Sequence, residues 1–353
     1  MKKKVQLSIS HIIILMIIIE VILIFVEILM VGSSNMTLKE AINGLFLNGT
    51  NAQNRIIWSI RIPRVLSAII AGAALSMSGL IMQTTLGNDM AAPSTLGVSN
   101  AAVFGANISI IVLAGGFASI GGNANNMITM ANPFASSTMA FIFSFISILL
   151  ILGLGKTKAF SKSSLILSGI AISSIWSALT TLIQFYATDV GLSAAVVWTF
   201  GDLGRATYLT DLIMLIVTII AFIIFYLLKQ HYNALLSGDN VALSLGVKVE
   251  KLRFISLILA SLLCAVCVSY LGIIGFVGII CPHVVKRLIG KNHKYTIPMS
   301  LISGSILLLF ADMISRIIGN GSALPIGAVT SILGAPFFLY IIFAKKEKIN
   351  AGN

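Results

Sequence analysis

The sequence predicts an all-α polytopic membrane protein with about ten transmembrane helices and both termini in the cytoplasm. Of its 353 residues, 58% are hydrophobic and only 10% are charged, whereas about a quarter of the residues in a soluble domain are charged. Ten apolar segments are long enough to cross about 30 Å of hydrocarbon at about 1.5 Å per residue. The formal charge of +12 comes from basic residues in short loops between these segments. Basic residues in such loops set the orientation of the helices in the membrane, so the positive charge does not indicate nucleic acid as a partner.

The apolar segments follow one another along the whole chain, so we expect a single transmembrane domain over residues 1–353. The first follows Lys2, Lys3 and Lys4 and has no cleavage site after it, which predicts a retained helix rather than a signal peptide. A polar stretch from 32 to 60 precedes the second, with Trp58 near its end, and predicts an excursion along the membrane interface. The segments lie near 11 to 31, 64 to 83, 97 to 115, 133 to 153, 163 to 186, 207 to 228, 254 to 272, 275 to 290, 296 to 316 and 325 to 344.

The distribution of basic residues fixes the orientation. With the N-terminus inside, the inner loops and termini collect seventeen lysines and arginines, and the outer loops keep six. The positive-inside rule therefore places both termini, and the loop from Lys229 to Arg253, in the cytoplasm.

This cytoplasmic loop is the longest polar interruption in the second half of the chain. It contains a short amphipathic segment, Leu235 to Val247, that we expect to form a helix between Gly238 and Gly246. Because the rest of the protein is membrane-embedded, this loop is where a soluble partner can bind.

Three arginines lie at the outer ends of predicted helices. Arg61 and Arg64 flank Pro63, which suits a helix start, and Arg316 ends a much later helix. A guanidinium group matches carboxylates, so these residues either dock an acidic partner or anchor the helices at the interface. The residues alone leave both readings open.

The fifth helix carries a polar stripe on an otherwise apolar surface. Such a stripe either packs against another helix through hydrogen bonds or lines a wet passage. Its members recur at helical spacing and are Ser173, Ser177, Thr180, Thr181 and Gln184.

Acidic residues inside the apolar segments indicate an alternative function. Glu20 and Glu27 lie in the first helix and Asp312 in the ninth, and such residues are candidates for a proton-coupled secondary transporter. Against this, Asp312 precedes Arg316 by four residues, so the two can pair on one helical face.

No catalytic, cofactor or metal site is expected. The three cysteines, at 264, 267 and 281, fall in apolar segments, as buried structural cysteines do. The segment Gly153 to Thr157 resembles the end of a phosphate-binding loop, but Leu150 stands where that motif needs glycine. A third hypothesis is an intramembrane enzyme, for which the only indication is His283 beside a predicted helix break at Pro282.

Several ordered blocks resemble the permease subunits of ABC importers for ferric siderophores, haem and cobalamin, the FecCD family. In the first half they are Arg61-Ile62-Pro63-Arg64, Gly72 to Gly79, Met82-Gln83, Gly87 to Pro93, and Leu96 to Asn100. In the second half they are Leu243 to Val247, Gly275 to His283, Phe310-Ala311-Asp312, Leu324 to Gly327, and Gly334 to Phe338. The resemblance runs from about residue 55 to 343.

The resemblance implies a type II ABC importer permease fold of ten helices in the bacterial cytoplasmic membrane, with no cofactor. Its partners would be membrane lipid, a second permease copy in a homodimer or heterodimer, cytoplasmic ABC ATPase subunits and an extracytoplasmic substrate-binding protein. Arg61, Arg64 and Arg316 would dock the binding protein, while Ser173, Ser177, Thr180 and Gln184 would line the pathway. The coupling element seated in the ATPase would comprise Leu236, Ser237, Gly238, Asp239, Leu243, Leu245 and Gly246.

Overall fold

The computed structural model describes residues 9–30, 36–114, 133–155, 162–319 and 323–350, with side chains omitted at 155, 162–163 and 340–350. Lys2, Lys3 and Lys4 lie outside the described residues. The regular elements of the described part are fifteen α-helices with short 3₁₀ and π segments between them. The helices are α1 Ile9–Leu29, α2 Leu38–Leu45, α3 Asn51–Ile56, α4 Ile62–Leu86, α5 Val98–Asn107, α6 Pro133–Gly155, α7 Lys162–Phe185, α8 Asp189–Thr199, α9 Tyr208–Leu227, α10 Lys229–Leu235, α11 Asp239–Ser244, α12 Val249–Leu271, α13 Val277–Ile289, α14 His293–Ile318 and α15 Ile326–Asn350.

All ten predicted segments are helical. Within the described ranges, seven helices are long and apolar enough to cross a membrane. Six of them are α1, α6, α7, α9, α12 and α14, and the seventh is the continuous helical stretch Asn51–Leu86, which contains α4. The other three segments form α5, which continues as a π-helix through Leu113, and the helices α13 and α15. The ends called inner and outer below follow the orientation predicted from the basic residues.

Helix α4 is the centre of the molecule. It packs against α14, α12, α13 and α9, and nearly all of its side chains are buried. Its approach to α13 depends on two glycines, because a Cβ on Gly79 would overlap the backbone carbonyl of Gly278. Small residues at such crossings let helix backbones touch inside a membrane.

The outer segment before α4 contains more structure than the sequence predicted. Residues 38–45 and 51–56 form α2 and α3, each begun by a capping box, with Thr37 and Glu40 in the first and Thr50 and Gln53 in the second. A π-helical turn, Ile57–Arg61, joins α3 to α4, so the chain is helical without a break from Asn51 to Leu86. Helix α8 was also missed, because its eleven residues are too short to read as a membrane span.

Candidate functional site

The cytoplasmic loop forms the predicted short helix, α11, between two glycines. Gly238 and Gly246 have φ angles of +103° and +82°, in the region that favours glycine over residues with a side chain. Both glycines have open space where a side chain would stand, so the backbone conformation, rather than packing, explains the glycines. They let the chain reverse direction at each end of α11.

Large apolar side chains project from this loop into solvent. Leu243 is 56% exposed and Leu245 is 67% exposed, and Leu236 is exposed as well, as is the neighbouring Ser237. Exposed leucines on a polar loop provide an apolar contact surface outside the predicted spans. We call these three leucines the coupling surface.

A buried arginine fixes α11 to the transmembrane helices. Arg253, at the start of α12, donates from Nη2 to Asp239 Oδ2 at 2.9 Å and from Nε to the carbonyl of Thr85 at 3.0 Å. The guanidinium group therefore joins α11, α12 and the inner end of α4.

A second network ties α10 to the same region. The hydroxyls of Tyr232 and Ser256 lie 2.8 Å apart, and burial raises the pKa of Tyr232 above its usual value. Asn233 accepts from the backbone N–H of His293 at 2.8 Å, while the Nε2 atom of that histidine lies 2.9 Å from Thr84 Oγ1. Hydrogen bonds thus connect α10, which precedes the coupling surface, to α12 and α14, and α14 to α4.

The three outer arginines do not form an exposed patch, contrary to what docking through free guanidinium groups would require. Arg61 is buried and donates from Nη1 to the carbonyl of Ile28 at 2.7 Å. Arg64 and the side chain of Arg316 are also nearly buried. Their charges are used within the chain, because each lies beside residues of α1 or beside acidic groups.

Arg64 and Arg316 belong to a cluster that we call the outer charge cluster. Arg64 donates from Nη2 and Nε to Asp312 Oδ1 at 2.8 and 2.9 Å, and its Nη1 lies 3.3 Å from Asp202 Oδ1. Arg316 pairs through Nε with Asp312 Oδ2 at 3.0 Å and through Nη2 with Glu27 Oε2 at 3.1 Å. The cluster joins α1, α4, α14 and the loop after α8.

The cluster is graded in exposure. The side chains of Glu27 and Asp312 are fully buried, whereas Asp202 is 44% exposed. Asp202 is therefore the member that solvent, or an approaching protein, reaches first. Asp202 was not among the predicted site residues, because Arg64, with which it pairs, lies 138 residues away in the chain. Its only signal was that the chain has eleven acidic residues in all.

The acidic residues proposed for proton transport do not share one environment. Asp312 and Glu27 are held in ion pairs of the outer charge cluster, including the predicted pair of Asp312 with Arg316. Glu20 instead lines a separate cavity of about 410 Å³ with residues of α4, α9 and α14, among them Ser305. The arrangement provides an ion-pair function for two of the three carboxylates.

The polar stripe of α7 divides between two surroundings. Ser173 and Ser177, with Thr181, line a cavity of about 800 Å³ that is bounded on its other side by the turn from Asn88 to Thr95. Thr180 is buried and donates to the carbonyl of Trp176 at 2.8 Å, and Gln184 donates to Asn107 Oδ1 of α5 at 3.0 Å. Two of the four predicted lining residues thus face the cavity, and the other two face neighbouring protein.

The sequence and fold match known transport proteins over most of the chain. The profile of the FecCD transport family matches residues 16–344. A protein of Methanocaldococcus jannaschii described as an ABC transporter permease is 42% identical over 321 residues, 91% of each chain. The hemin transport system permease protein HmuU of Yersinia pestis is 32% identical over 92% of this chain and 95% of its own length.

A solved structure agrees with the fold. An inward-facing conformation of an ABC transporter assigned to the metal-chelate type superposes with a TM-score of 0.80 and 25% identity, covering 95% of this chain and 99% of that one. Together with the apolar spans, these matches identify a multi-pass protein of the cytoplasmic membrane and confirm the resemblance found in the sequence blocks. The chain belongs to the FecCD transport family, as a permease component of ABC importers.

Proposed function

We propose that this chain is the membrane-spanning subunit of an ATP-driven importer that takes up an iron chelate, either a ferric siderophore or haem, or a cobalamin. An extracytoplasmic binding protein delivers the substrate, and cytoplasmic ABC ATPase subunits, separate from this chain, hydrolyse the ATP. Support for the substrate class comes from the hemin permease and from the metal-chelate type of the superposed transporter.

The coupling surface is the observation that carries this proposal. Its exposed leucines offer an apolar contact for a groove on the ATPase, and Gly238 and Gly246 shape the turn that presents them. When ATP draws the two ATPase subunits together, α11 moves with them, and Arg253 passes the movement to α4 and α12. ATP must favour one conformation over the other, since a ligand with equal affinity for both shifts nothing.

Docking of the binding protein at Arg61, Arg64 and Arg316 requires an exchange of partners, because these arginines are buried and engaged. Asp202 is the most exposed carboxylate of the outer charge cluster, and its Oδ1 atom lies 3.3 Å from Arg64 Nη1 while it accepts from the backbone N–H of Gly204 at 2.8 Å. A carboxylate on the binding protein replaces Asp202 at that position. The exchange conserves the charge balance of the cluster and frees the Asp202 side chain from Arg64.

The pathway lies between two permease copies and is lined partly by Ser173 and Ser177. The outward face of α7 also exposes large apolar side chains, including Leu167, Ile170 and Leu182, which supplies an apolar surface for the second copy. A wall of small hydroxyl groups among apolar ones lets a large chelate pass without holding it tightly. The second copy is either identical or a sibling permease.

Substitution of Leu245 tests the proposal. Leu245→Asp places a charge on the coupling surface, so we expect ATP hydrolysis by the reconstituted complex to continue while substrate uptake is lost. Leu245→Met keeps an apolar side chain of similar size and should retain uptake. Hydrolysis and uptake are measured in the same proteoliposomes. Normal uptake by the Asp variant would count against the coupling role, and uptake without any ATPase subunit would favour the proton-coupled carrier.

A further inference from the structure

We infer that the segment from Thr37 to Ile60 anchors the protein in the outer leaflet of the bilayer, through an apolar stripe on α2. This segment, called the outer hairpin below, consists of α2, α3 and the residues that join them to each other and to α4. Lipid contact by this surface does not depend on the proposed transport function.

Helix α2 has two different apolar faces. Ala41 and Gly44 are buried, and Gly44 faces Ile57 so closely that an added Cβ would lie 3.0 Å from its Cγ1 atom. The face with Ala41 and Gly44 therefore packs against the part of the hairpin that follows α3. The other face carries Leu38, Ile42 and Phe46, spaced four residues apart, and all three are exposed, Phe46 by 69%.

The hairpin holds this stripe in a fixed position. The capping box of α2 places the Thr37 N–H 2.7 Å from Glu40 Oε2, and this bond lowers the pKa of Glu40. Leu47, which follows Phe46, has a φ angle of +60°, a conformation uncommon for residues other than glycine. Its carbonyl accepts from Asn54 Nδ2 at 3.3 Å. Strain kept in a short loop points to a functional requirement for its shape, here the exposure of Phe46 and Leu47.

The position of the hairpin selects lipid as its partner. Helix α2 contacts α1, a membrane span whose outer half exposes apolar side chains such as Ile22 and Phe25. The stripe therefore continues a surface that already faces hydrocarbon. Trp58 is exposed at the end of the hairpin, and its carbonyl accepts a hydrogen bond from the Tyr208 hydroxyl. Tryptophan and tyrosine concentrate at the level of the lipid headgroups.

The polar residues of the hairpin fit the same partner. Lys39 and Arg55 are exposed, one on each helix. A helix with Leu, Ile and Phe on one face and basic residues beside it lies in the plane of the interface, with its cations near lipid phosphates. The partner is thus a phospholipid surface that contains anionic headgroups. Because the chain is helical without a break from Asn51 to Leu86, this anchor also fixes the outer end of α4.

Spin labelling of the full chain in nanodiscs tests the inference. Phe46→Cys and Leu38→Cys report on the stripe, and Ala52→Cys, exposed on α3, is the matched control. Each variant is labelled with a nitroxide in nanodiscs of phosphatidylcholine and phosphatidylglycerol. The three native cysteines are buried, and labelled wild-type protein gives the background. Collisions with dissolved oxygen and with a water-soluble nickel chelate are then compared.

We expect the ratio of oxygen to nickel collisions to be several-fold higher at positions 38 and 46 than at position 52. Nickel accessibility at both stripe positions equal to that at position 52 would overturn the inference. Shielding that arises only after a binding protein is added would also overturn it, because the partner would then be a protein. The two stripe positions guard against a local disturbance by one substitution.

Discussion

The outer charge cluster predicts that the two carboxylates bound by Arg64 differ greatly in energetic importance. Arg64→Gln leaves Asp312, whose side chain is fully buried, with Arg316 alone at 3.0 Å. Loss of one partner of a buried ion pair costs about 3 to 5 kcal/mol, and the remaining contact places the expected cost near the lower end, about 3 kcal/mol. Asp202→Asn instead removes a partly exposed partner at 3.3 Å, for which about 1 kcal/mol or less is expected.

The three buried cysteines, all in α12 and α13, provide the assay. Their thiols are shielded in the folded protein and react with a fluorogenic maleimide only when these helices open. At a fixed temperature in detergent, a loss of about 3 kcal/mol that acts wholly on the unfolding barrier accelerates labelling by about 100-fold. By the same conversion, Asp202→Asn should accelerate labelling by about 5-fold or less.

A double substitution separates pairing from general damage. Arg64→Gln combined with Asp312→Asn replaces two charges with neutral groups that still form hydrogen bonds. The double variant should therefore be destabilised by less than the sum of the two single variants, with a difference of about 1 to 3 kcal/mol. Equal labelling rates for Arg64→Gln and Asp202→Asn would refute the assignment of Asp312 as the main partner. Strict additivity in the double variant would refute it as well.

Two further predictions concern docking and transport. Asp202→Asn removes the carboxylate that competes for Arg64, so the binding protein should bind the permease in nanodiscs about 2- to 5-fold more tightly at low salt. The control is Asp189→Asn, which neutralises an exposed acidic residue on α8. Unchanged or weaker binding by the Asp202→Asn variant would contradict the exchange of partners. Ser177→Phe fills the α7 cavity and should reduce substrate uptake while ATP hydrolysis persists. Thr180→Val should transport normally, because the Thr180 hydroxyl bonds only within its own helix. An equal loss of uptake in both variants would show that the cavity is not the route.

Much of the fold followed from local patterns in the sequence. Each of the ten apolar segments is a helix because a span of that length and hydropathy satisfies its backbone only by hydrogen bonds within itself. Helix α11 was predicted for a comparable reason, since the two flanking glycines provide backbone angles that other residues resist. The outer hairpin was predicted only as an interfacial excursion, because its capping boxes are short and its helices have six and eight residues.

The candidate sites were less predictable, because a residue type does not reveal its partner. Ser177 and Thr180 stand three residues apart in one stripe, yet one faces a cavity and the other is buried. The direction of each depends on where α5 and α6 pack against α7. No periodicity within α7 contains that information.

The sequence by itself determined that the chain is a helical membrane protein, which segments are apolar enough to span, and where a short loop helix lies, because hydropathy and glycine conformations act over a few residues. Apart from the pair of Asp312 with Arg316, only the tertiary structure decided which partners the charged residues of the outer cluster bind. Arg64 meets Asp202 and Asp312 across 138 and 248 residues of chain, and in a low-dielectric interior a charge is stable only where the fold brings it a partner.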